Sequence, residues 1–263
     1  MRKRPLFLLV LLILINNSCD ILNPEKANLL SLDSKIIFQV EDFCWINGAK
    51  KPGLSIDMET AKEYPCCNYW IETEDLMHDN TIHINIFGVY EPNGCATAFG
   101  PARQSLVFGQ LDGKYLLNFR YSRRVDQYEL WVTDTLISLT PKISRFTEPE
   151  YYKLWKRPEN SFAVLCGTTV EDRSLFQGFL DTLRTVIAIE EFSFPETGRL
   201  SYPSRVSGHY YNHPVRFFRY QKDRDFYLIE PVLKAFKSDH FNETGNSISI
   251  INWENEKIHS WLL

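Results

Sequence analysis

The sequence of 263 residues lacks the short motifs that mark the commonest catalytic and nucleotide-binding sites. It contains no GxSxG elbow, no P-loop, no HExxH pair and no GxGxxG turn. Its six cysteines show no CxxC spacing and have no histidine beside them, so no zinc site is expected. These absences predict a chain without a metal or a cofactor, and they favour binding over catalysis.

An excess of basic residues is also missing. Lys and Arg together number 29 and Asp and Glu number 33, which gives a formal net charge of −4. Because nucleic-acid binding relies on Lys and Arg that neutralise phosphates, this balance argues against a nucleic-acid partner. No internal repeat and no second long apolar run follow the N-terminal segment.

The N-terminus has the pattern of an export signal. Arg2, Lys3 and Arg4 precede an unbroken apolar run at residues 6–15. As a helix that run would measure roughly 15 Å, about half of a ~30 Å hydrocarbon core, so it is too short to span a membrane. A basic head followed by a short apolar segment is typical of a secretory signal.

Ser18 and Cys19, which come directly after this segment, resemble the type II signal sequence of a bacterial lipoprotein. In such proteins a peptidase cuts before the cysteine, whose thiol carries diacylglycerol; the position three before it is usually Leu and is Asn16 here. The resemblance implies a signal peptide over residues 1–18, a lipidated tether over residues 19–34 and attachment to the membrane through acylated Cys19. The alternative is an ordinary signal peptide in which Cys19 is incidental.

Removal of the signal peptide would make the net charge of the mature chain more negative. It would leave 26 basic and 33 acidic residues, a formal net charge of −7. Attachment is then expected to rest on acyl chains, in which each buried methylene contributes roughly 0.8 kcal/mol.

Two DTL triplets, at 134–136 and 181–183, resemble the O-glycosylation sequon of Bacteroidota. Together the resemblances imply a lipid-anchored protein of the bacterial cell envelope, favouring the outer membrane, with its folded part outside the cytoplasm.

Export would allow disulfide bonds, because compartments outside the cytoplasm are oxidising. With Cys19 acylated, five cysteines remain, and an odd number leaves at least one thiol free. Cys166 lies in the apolar run SFAVLCG, where a free thiol behaves as a small buried hydrophobe. Two others are adjacent, and a bond between neighbours is strained, so each is expected to pair elsewhere or to stay reduced; the preferred scheme pairs them with the remaining two. The candidate disulfide partners are Cys44, Cys66, Cys67 and Cys95.

Residues 66–141 show the two-residue period of half-buried antiparallel strands. The segment 81–90 alternates apolar and polar residues, and 114–121 and 127–133 repeat the pattern, with turn residues between them. Pro141 is expected to end the last strand. The residues expected to point inward are Ile82, Ile84, Ile86, Tyr115, Leu117, Phe119, Tyr121, Tyr128, Leu130 and Val132.

Within this region, LDGKYLLNF resembles the tyrosine corner of immunoglobulin-like and fibronectin-III-like β-sandwiches. In that corner a tyrosine entering a late strand hydrogen-bonds back across the turn. Tyr115 takes this position, and Leu117 stands where antibody domains have a cysteine. The resemblance implies an immunoglobulin-like β-sandwich over residues 35–141, without the cysteine and tryptophan pattern of antibodies.

Alternation also predicts which side chains of the last hairpin face outward. If the inward-pointing residues of 114–121 and 127–133 are buried, Leu116 and Trp131 lie near each other on the opposite side of the sheet. The segment that follows, 142–160, contains Trp155 and is expected to be an aromatic link between two domains. We expect Leu116, Trp131 and Trp155 to form an interface in which this link covers the sheet. A binding site for a partner is the alternative.

Residues 161–263 have the pattern of an α+β domain. The run at 161–169 is typical of a buried strand, and apolar residues at helical spacing follow over 171–187. Strand, helix and hairpin patterns then alternate, and Pro231 fits a helix only in its first turn. The expected fold is thus β-rich with two domains, an immunoglobulin-like β-sandwich followed by an α+β domain, for which a split β-α-β arrangement is one candidate.

No group of residues in the sequence requires catalysis. His209 and His213 are four apart but stand between Gly208 and Pro214, so two surface histidines are expected. We expect a non-catalytic envelope lipoprotein that acts as a binding or assembly component; its 14% aromatic content suits a glycan or a protein partner. The alternatives are an extracytoplasmic hydrolase with its site in the C-terminal domain and a structural subunit of an outer-membrane assembly.

Replacement of Cys19 by Ala tests the anchor. The variant has no thiol to acylate, so we expect it to leave the membrane fraction, whereas Cys166→Ala should stay there. Fractionation of cells that express each form, with detection in the membrane and soluble fractions, measures the difference. If C19A is processed and retained in the membrane like the wild type, the lipoprotein hypothesis is wrong.

Overall fold

The computed structural model describes residues 28–46, 49–94, 98–204, 209–241 and 245–263. For residues 44–46, 49–50 and 223 it describes the backbone alone. The signal segment, Cys19, Cys95 and the side chain of Cys44 therefore lie outside the described residues. Within the described ranges, no helix has the length and apolar character needed to cross a membrane.

The described strands fall in two sheets, accompanied by the helices α1 (Leu175–Val186) and α2 (Ile229–His240). Residues Asp223–Leu228 and Ser260–Leu262 form 3-10 helices. In chain order the strands are β1 (Leu29–Leu30), β2 (Ile36–Ile46), β3 (Ala49–Tyr64), β4 (Trp70–His78), β5 (Thr81–Tyr90), β6 (Gly100–Gly109), β7 (Gly113–Tyr121), β8 (Arg124–Val132), β9 (Leu136–Ile143), β10 (Thr147–Pro149), β11 (Lys153–Trp155), β12 (Ser161–Thr168), β13 (Ile189–Phe192), β14 (Arg199–Leu200), β15 (Tyr211–Asn212), β16 (Arg216–Tyr220), β17 (Ser247–Asn252) and β18 (Lys257–His259).

The first sheet has twelve strands and is mixed. Its order is β10-β2-β3-β6-β4-β5-β7-β8-β9-β11-β14, and β1 pairs with β5. Most of the described neighbours are antiparallel, and four pairs are parallel: β10 with β2, β4 with β6, β5 with β7, and β11 with β14. Four strands separate β2 from β7, yet the ring centroid of Phe38 on β2 lies 4.7 Å from that of Phe119 on β7. The sheet is therefore curled, and its core lies inside the curl.

Alternation along the strands supplies this core, as the sequence predicts. β5 has the predicted bounds, and most of the predicted inward residues are buried. The buried members are Ile82, Ile84, Ile86, Leu117, Phe119, Tyr128, Leu130 and Val132. Tyr115 and Tyr121 are half-buried and pack against the same cluster.

The prediction that Pro141 ends the last strand is wrong, because β9 continues to Ile143. Pro141 lies opposite Tyr128 at a register shift between β8 and β9. A proline has no N–H to donate, and an irregular position of this kind is where a ladder tolerates that loss.

Much of the predicted link, residues 142–160, belongs to the first sheet. β10 pairs with β2, and β11 pairs with β9 and with β14. The Tyr151 hydroxyl donates to the carbonyl of Val40 at 2.9 Å, and burial raises the pKa of Tyr151. Tyr151 thus packs against the core of the first sheet, Tyr152 is 49% exposed, and the segment contributes strands to that sheet.

All the described strands of residues 35–141 lie in this one curled sheet, so the immunoglobulin-like sandwich stays a prediction. Tyr115 does make the type of bond that the resemblance implies. Its hydroxyl donates to the carbonyl of Asp112, three residues earlier, at 3.0 Å. Because that bond is exposed to water, it contributes little to stability.

The second sheet has the order β13-β16-β12-β17-β18, with β15 beside β12, and all its pairs are antiparallel. α1 connects β12 to β13, and β16 lies between these two strands. α2 connects β16 to β17, and β12 lies between those. The split β-α-β arrangement therefore occurs twice, in the β-α-β-β-α-β order of ferredoxin-like topologies. Pro231 lies in the first turn of α2, as its geometry requires.

Two Tyr→Phe substitutions, each of which removes one hydroxyl group, test how much a buried hydrogen bond stabilises the curled sheet. The Tyr128 hydroxyl is buried, donates to the Thr147 carbonyl at 2.9 Å and contacts the Ser144 hydroxyl at 2.9 Å. We expect Tyr128→Phe to lower the free energy of unfolding by ~1–3 kcal/mol, because buried partners lose a hydrogen bond. Tyr115→Phe, whose partner is exposed, should cost at most ~0.5 kcal/mol. Urea denaturation midpoints measure both, and equal shifts would contradict the argument.

Candidate functional site

One face of the second sheet carries no helix among the described residues. α1 and α2 both pack on the opposite face, in a cluster that includes Phe162, Val164 and Ile250. The helix-free face presents apolar side chains at alternate positions, namely Ala163, Leu165, Phe217 and Ile251. Ala163, Leu165 and Ile251 are already buried by the chain, whereas Phe217 is half-buried, so only the part of this face around Phe217 is open to a ligand.

Part of this face forms a concavity that we call the aromatic hollow, defined by Phe192, Phe194, Tyr202 and Phe217. Phe194 meets Phe217 edge to face, with ring centroids 4.9 Å apart, and Phe192 lies 5.3 Å from Phe194. Tyr202 is buried, with its ring 5.7 Å from that of Phe217. The hollow has a volume of about 690 Å³ and is lined by β13, β16 and residues between 193 and 204.

Charged residues also line the aromatic hollow. Arg216 and Glu191 border it through their backbone, but their side chains bind each other on the helix-bearing face, where Arg184 of α1 also donates to Glu191. Both guanidinium groups lie near the ring of Phe218 there, and the hydrogen bonds from Arg216 lower the pKa of Glu191. Arg199 and Glu196 are exposed at the same opening. Aromatic surfaces bordered by guanidinium and carboxylate groups can stack on a ligand ring and hydrogen-bond to its hydroxyl groups.

Two serine–histidine pairs lie elsewhere on the helix-free face. The Ser247 hydroxyl is 2.8 Å from Nε2 of His209, whose Nδ1 is 2.9 Å from the carbonyl of Gly245. Because a carbonyl only accepts, Nδ1 is the donor, which leaves Nε2 of the neutral ring as an acceptor. Ser249 makes a similar contact with Nδ1 of His259, at 2.9 Å. A serine beside an oriented imidazole is the minimal arrangement for nucleophilic catalysis.

His209 also has a packing role. It lies against Gly167 of β12, and a Cβ added at Gly167 would be 2.3 Å from its ring. Glycine at 167 therefore makes room for the imidazole. The pair formed by Ser247 and His209 is thus compatible both with catalysis and with a satisfied structural hydrogen bond.

A buried arginine joins the two sheets. The guanidinium of Arg157 lies 4.2 Å from the ring centroid of Phe43 on the first sheet and 4.7 Å from that of Tyr202. It donates to the carbonyls of Asn252 and Ser201 at 3.1 and 3.2 Å. Burial lowers the pKa of Arg157. A guanidinium nevertheless stays protonated in proteins, so a positive charge is held at the junction.

Asp42 supplies the opposite charge at this junction. Burial raises the pKa of its carboxyl, opposed by a hydrogen bond from the Ser201 hydroxyl and by the charge of Arg157. A cleft of about 750 Å³ beside them is lined by residues of both sheets, including Lys156, which donates to the carbonyl of Thr133. The polar groups of Asp42, Lys156, Arg157 and Ser201 thus hydrogen-bond to other groups of the same chain. We therefore assign the cleft a structural role.

The cysteines differ from the predicted scheme at one position. Cys66 is disulfide-bonded, whereas Cys67 has a free and exposed thiol, so only one of the adjacent cysteines is paired. Cys95 and the side chain of Cys44 lie outside the described residues. Cys166 is free and buried, and burial raises the pKa of its thiol to about 12, which makes it unreactive.

The three predicted interface residues do not share one covered surface. Trp131 is 46% exposed, with the Nζ of Lys114 5.2 Å from its ring centroid, so the link leaves it accessible to solvent. Leu116 is half-buried. Trp155 donates from its indole to the carbonyl of Thr197 at 2.6 Å, and it therefore helps to hold the segment that borders the aromatic hollow.

The prediction that both loop histidines lie at the surface is wrong for His213. Its ring is buried, 5.0 Å from Phe176 and 4.6 Å from Tyr211, with Nε2 3.2 Å from the Thr168 hydroxyl. Burial lowers the pKa of His213. In the part of the chain that the structure describes, no group of three or more His, Cys, Asp and Glu could hold a metal ion.

The residues of the aromatic hollow were not selected from the sequence. Phe192 and Phe194 alternate in a short segment, FSFP, and Phe217 lies in RFF. Such patterns are typical of a strand core as well as of a binding surface, and only the placement of both helices on the other face separates the two. Comparison of the chain with known protein families, curated proteins and solved structures finds no match.

Proposed function

We propose that this protein is a non-catalytic lipoprotein of the bacterial cell envelope that binds a ligand through the helix-free face of its second sheet. Its attachment would be through acylated Cys19, after removal of residues 1–18, to the outer membrane with the folded part outside the cytoplasm. The basic head, apolar run and Ser18–Cys19 support this location. The partner we favour is a glycan, and a protein partner is the alternative.

The separate cores support a division into two domains. One hydrophobic cluster contains residues between 32 and 154, and another contains residues between 162 and 258. We therefore keep the predicted tether at 19–34, β domain at 35–141 and α+β domain at 161–263, and we add most of the predicted link at 142–160 to the β domain, because Phe146 and Leu154 lie in its core. The bond from Tyr115 to Asp112 supports the immunoglobulin-like assignment of the first domain.

The aromatic hollow is the observation that carries the proposal. Its volume of about 690 Å³ lies within the usual ~300–1,000 Å³ of small-molecule sites. Three phenylalanine rings in it are only half-buried, so a ligand would gain apolar contact by entering. Sugars offer apolar ring faces for such stacking and hydroxyl groups for the neighbouring Arg199 and Glu196. A glycan therefore matches both parts of the lining.

Phe194→Ala tests the site directly. The variant loses the ring that meets Phe217 edge to face, and we expect the affinity for the ligand to fall about tenfold, or ~1.4 kcal/mol. Calorimetric titration with soluble oligosaccharides prepared from bacterial envelopes measures this. Tyr227→Ala is the control, because Tyr227 is 63% exposed and lies next to α2 on the helix side. Binding that is absent in the wild type, or equal in all three proteins, would contradict a glycan site here.

The hydrolase remains a second candidate because of the pair Ser247 and His209. A nucleophilic Ser247 would pass its proton to Nε2 of His209 as its oxygen attacks a carbonyl carbon, and the leaving group would take that proton. If this occurs, a fluorophosphonate probe should label the wild type and should not label Ser247→Ala. Ser249→Ala is the matched control on the same strand. Absence of labelling in the wild type favours the non-catalytic proposal.

A further inference from the structure

The first described strand begins at one end of the curled sheet, and exposed apolar side chains surround it. Leu29 on β1 is paired with Tyr90 on β5, and Tyr90 is paired with Trp70 on β4. Residues paired in this way point to the same side of a sheet, so the three side chains form a row. Phe87 is three residues before Tyr90 and has no partner on β4, because the register shifts there. The shift turns it to the same side as Tyr90, while Ile86 and Val89 both point into the core.

We call these side chains the tether-end patch: Leu29, Trp70, Phe87 and Tyr90. Trp70 and Tyr90 stack with ring centroids 4.1 Å apart and an interplanar angle of 17°. Leu29 lies over Gly88, since its Cγ is 3.3 Å from the position that a Cβ would take there. Leu29 is 38%, Trp70 37% and Phe87 51% exposed. No other described element covers them to the extent usual for side chains of this size.

The distance along the chain connects this patch to the anchor. Leu29 is ten positions after Cys19, and a fully extended chain over that span reaches at most ~35 Å. The patch therefore stays close to the membrane once Cys19 is acylated. The opposite end of β5, at Thr81, lies nine residues away, or ~30 Å along the strand. The junction with the second sheet is at that far end, since Val132 and Ile137 line its cleft.

We propose that the tether-end patch rests on the membrane, in the headgroup region of a phospholipid bilayer. This inference relies on the lipid anchor of the proposed function and adds a second contact that orients the molecule. Stacked tryptophan and tyrosine rings are the side chains that membrane interfaces favour. The charged groups around the patch are Glu72, which accepts from the Trp70 indole at 2.8 Å, Glu91, and Arg103, which is paired with Trp70 and bound to Glu59. Because they carry no excess of positive charge, a zwitterionic surface suits the patch better than an anionic one.

The orientation has a consequence for the aromatic hollow. With the tether end on the bilayer, the second sheet projects away from it, beyond the far end of β5. The helix-free face would then be presented to material outside the membrane. A single acyl anchor alone would let the protein rotate freely and would give no such presentation.

Fluorescence quenching tests the contact with the native acylated protein in phosphatidylcholine vesicles whose acyl chains carry bromine near the headgroup. We expect quenching of tryptophan emission in the wild type and a loss of most of it in Trp70→Phe. Trp131→Phe is the matched control, because Trp131 is more exposed but lies at the far end of the same sheet. It should be quenched like the wild type. Phenylalanine keeps the apolar packing, so the variants retain the fold.

The outcomes separate the inference from the proposed function. If the acylated protein floats with the vesicles but Trp70→Phe is quenched as strongly as the wild type, the patch does not touch the bilayer, although the anchor stands. If the protein fails to float at all, the anchor itself is wrong and the inference falls with it. A photoreactive amino acid placed at position 87 detects the remaining possibility. Cross-linked dimers, with no quenching of Trp70, would show that a second copy of the protein covers the patch instead of the membrane.

Discussion

The curled form of the first sheet depends on one buried carboxylate. Asp126 on β8 is fully buried, and its Oδ2 accepts from the backbone N–H groups of Arg145, Phe146 and Thr147 and from the Thr147 hydroxyl, each at 2.8 Å. These residues carry the chain from β9, near one end of the sheet, to β10 at the other. Bonds to a charged acceptor are about twice as strong as neutral ones, so the crossing is firmly placed. The ring contacts inside the curl follow from that placement.

A second constraint sets the position of the other sheet. Segment 199–202 pairs with β11 through β14 and then places Tyr202 on the helix-free face, where Arg157 lies between it and Phe43. A guanidinium flanked by two rings and bonded to carbonyls is costly to leave unpartnered, because its charge is already removed from water. The same tyrosine forms part of the aromatic hollow. The junction between the sheets therefore also fixes one wall of the candidate site.

The sequence predicts local structure well where a single period dominates. β5 and the buried sides of β7 and β8 follow from alternation, and α2 starts where Pro231 allows it. It does not predict that β5 and β7 are neighbours in parallel, because pairing depends on contacts distant in the chain. The closing role of Asp126 was missed for the same reason, since its partners lie 19–21 residues later. The aromatic hollow was missed because its four rings come from segments that only the second sheet brings together.

The two constraints place distinct surfaces at opposite parts of the molecule. The row of Leu29, Tyr90 and Trp70 lies at the end of the first sheet where the described chain begins. Arg157 holds the second sheet at the other end. The buried members of the hydrophobic clusters do not include Trp70 or Phe194, although Phe194 packs against the cluster that contains Tyr202. Apolar groups that the fold leaves accessible, one set near the start of the chain and one far from it, are more readily explained by two different contacts than by packing alone.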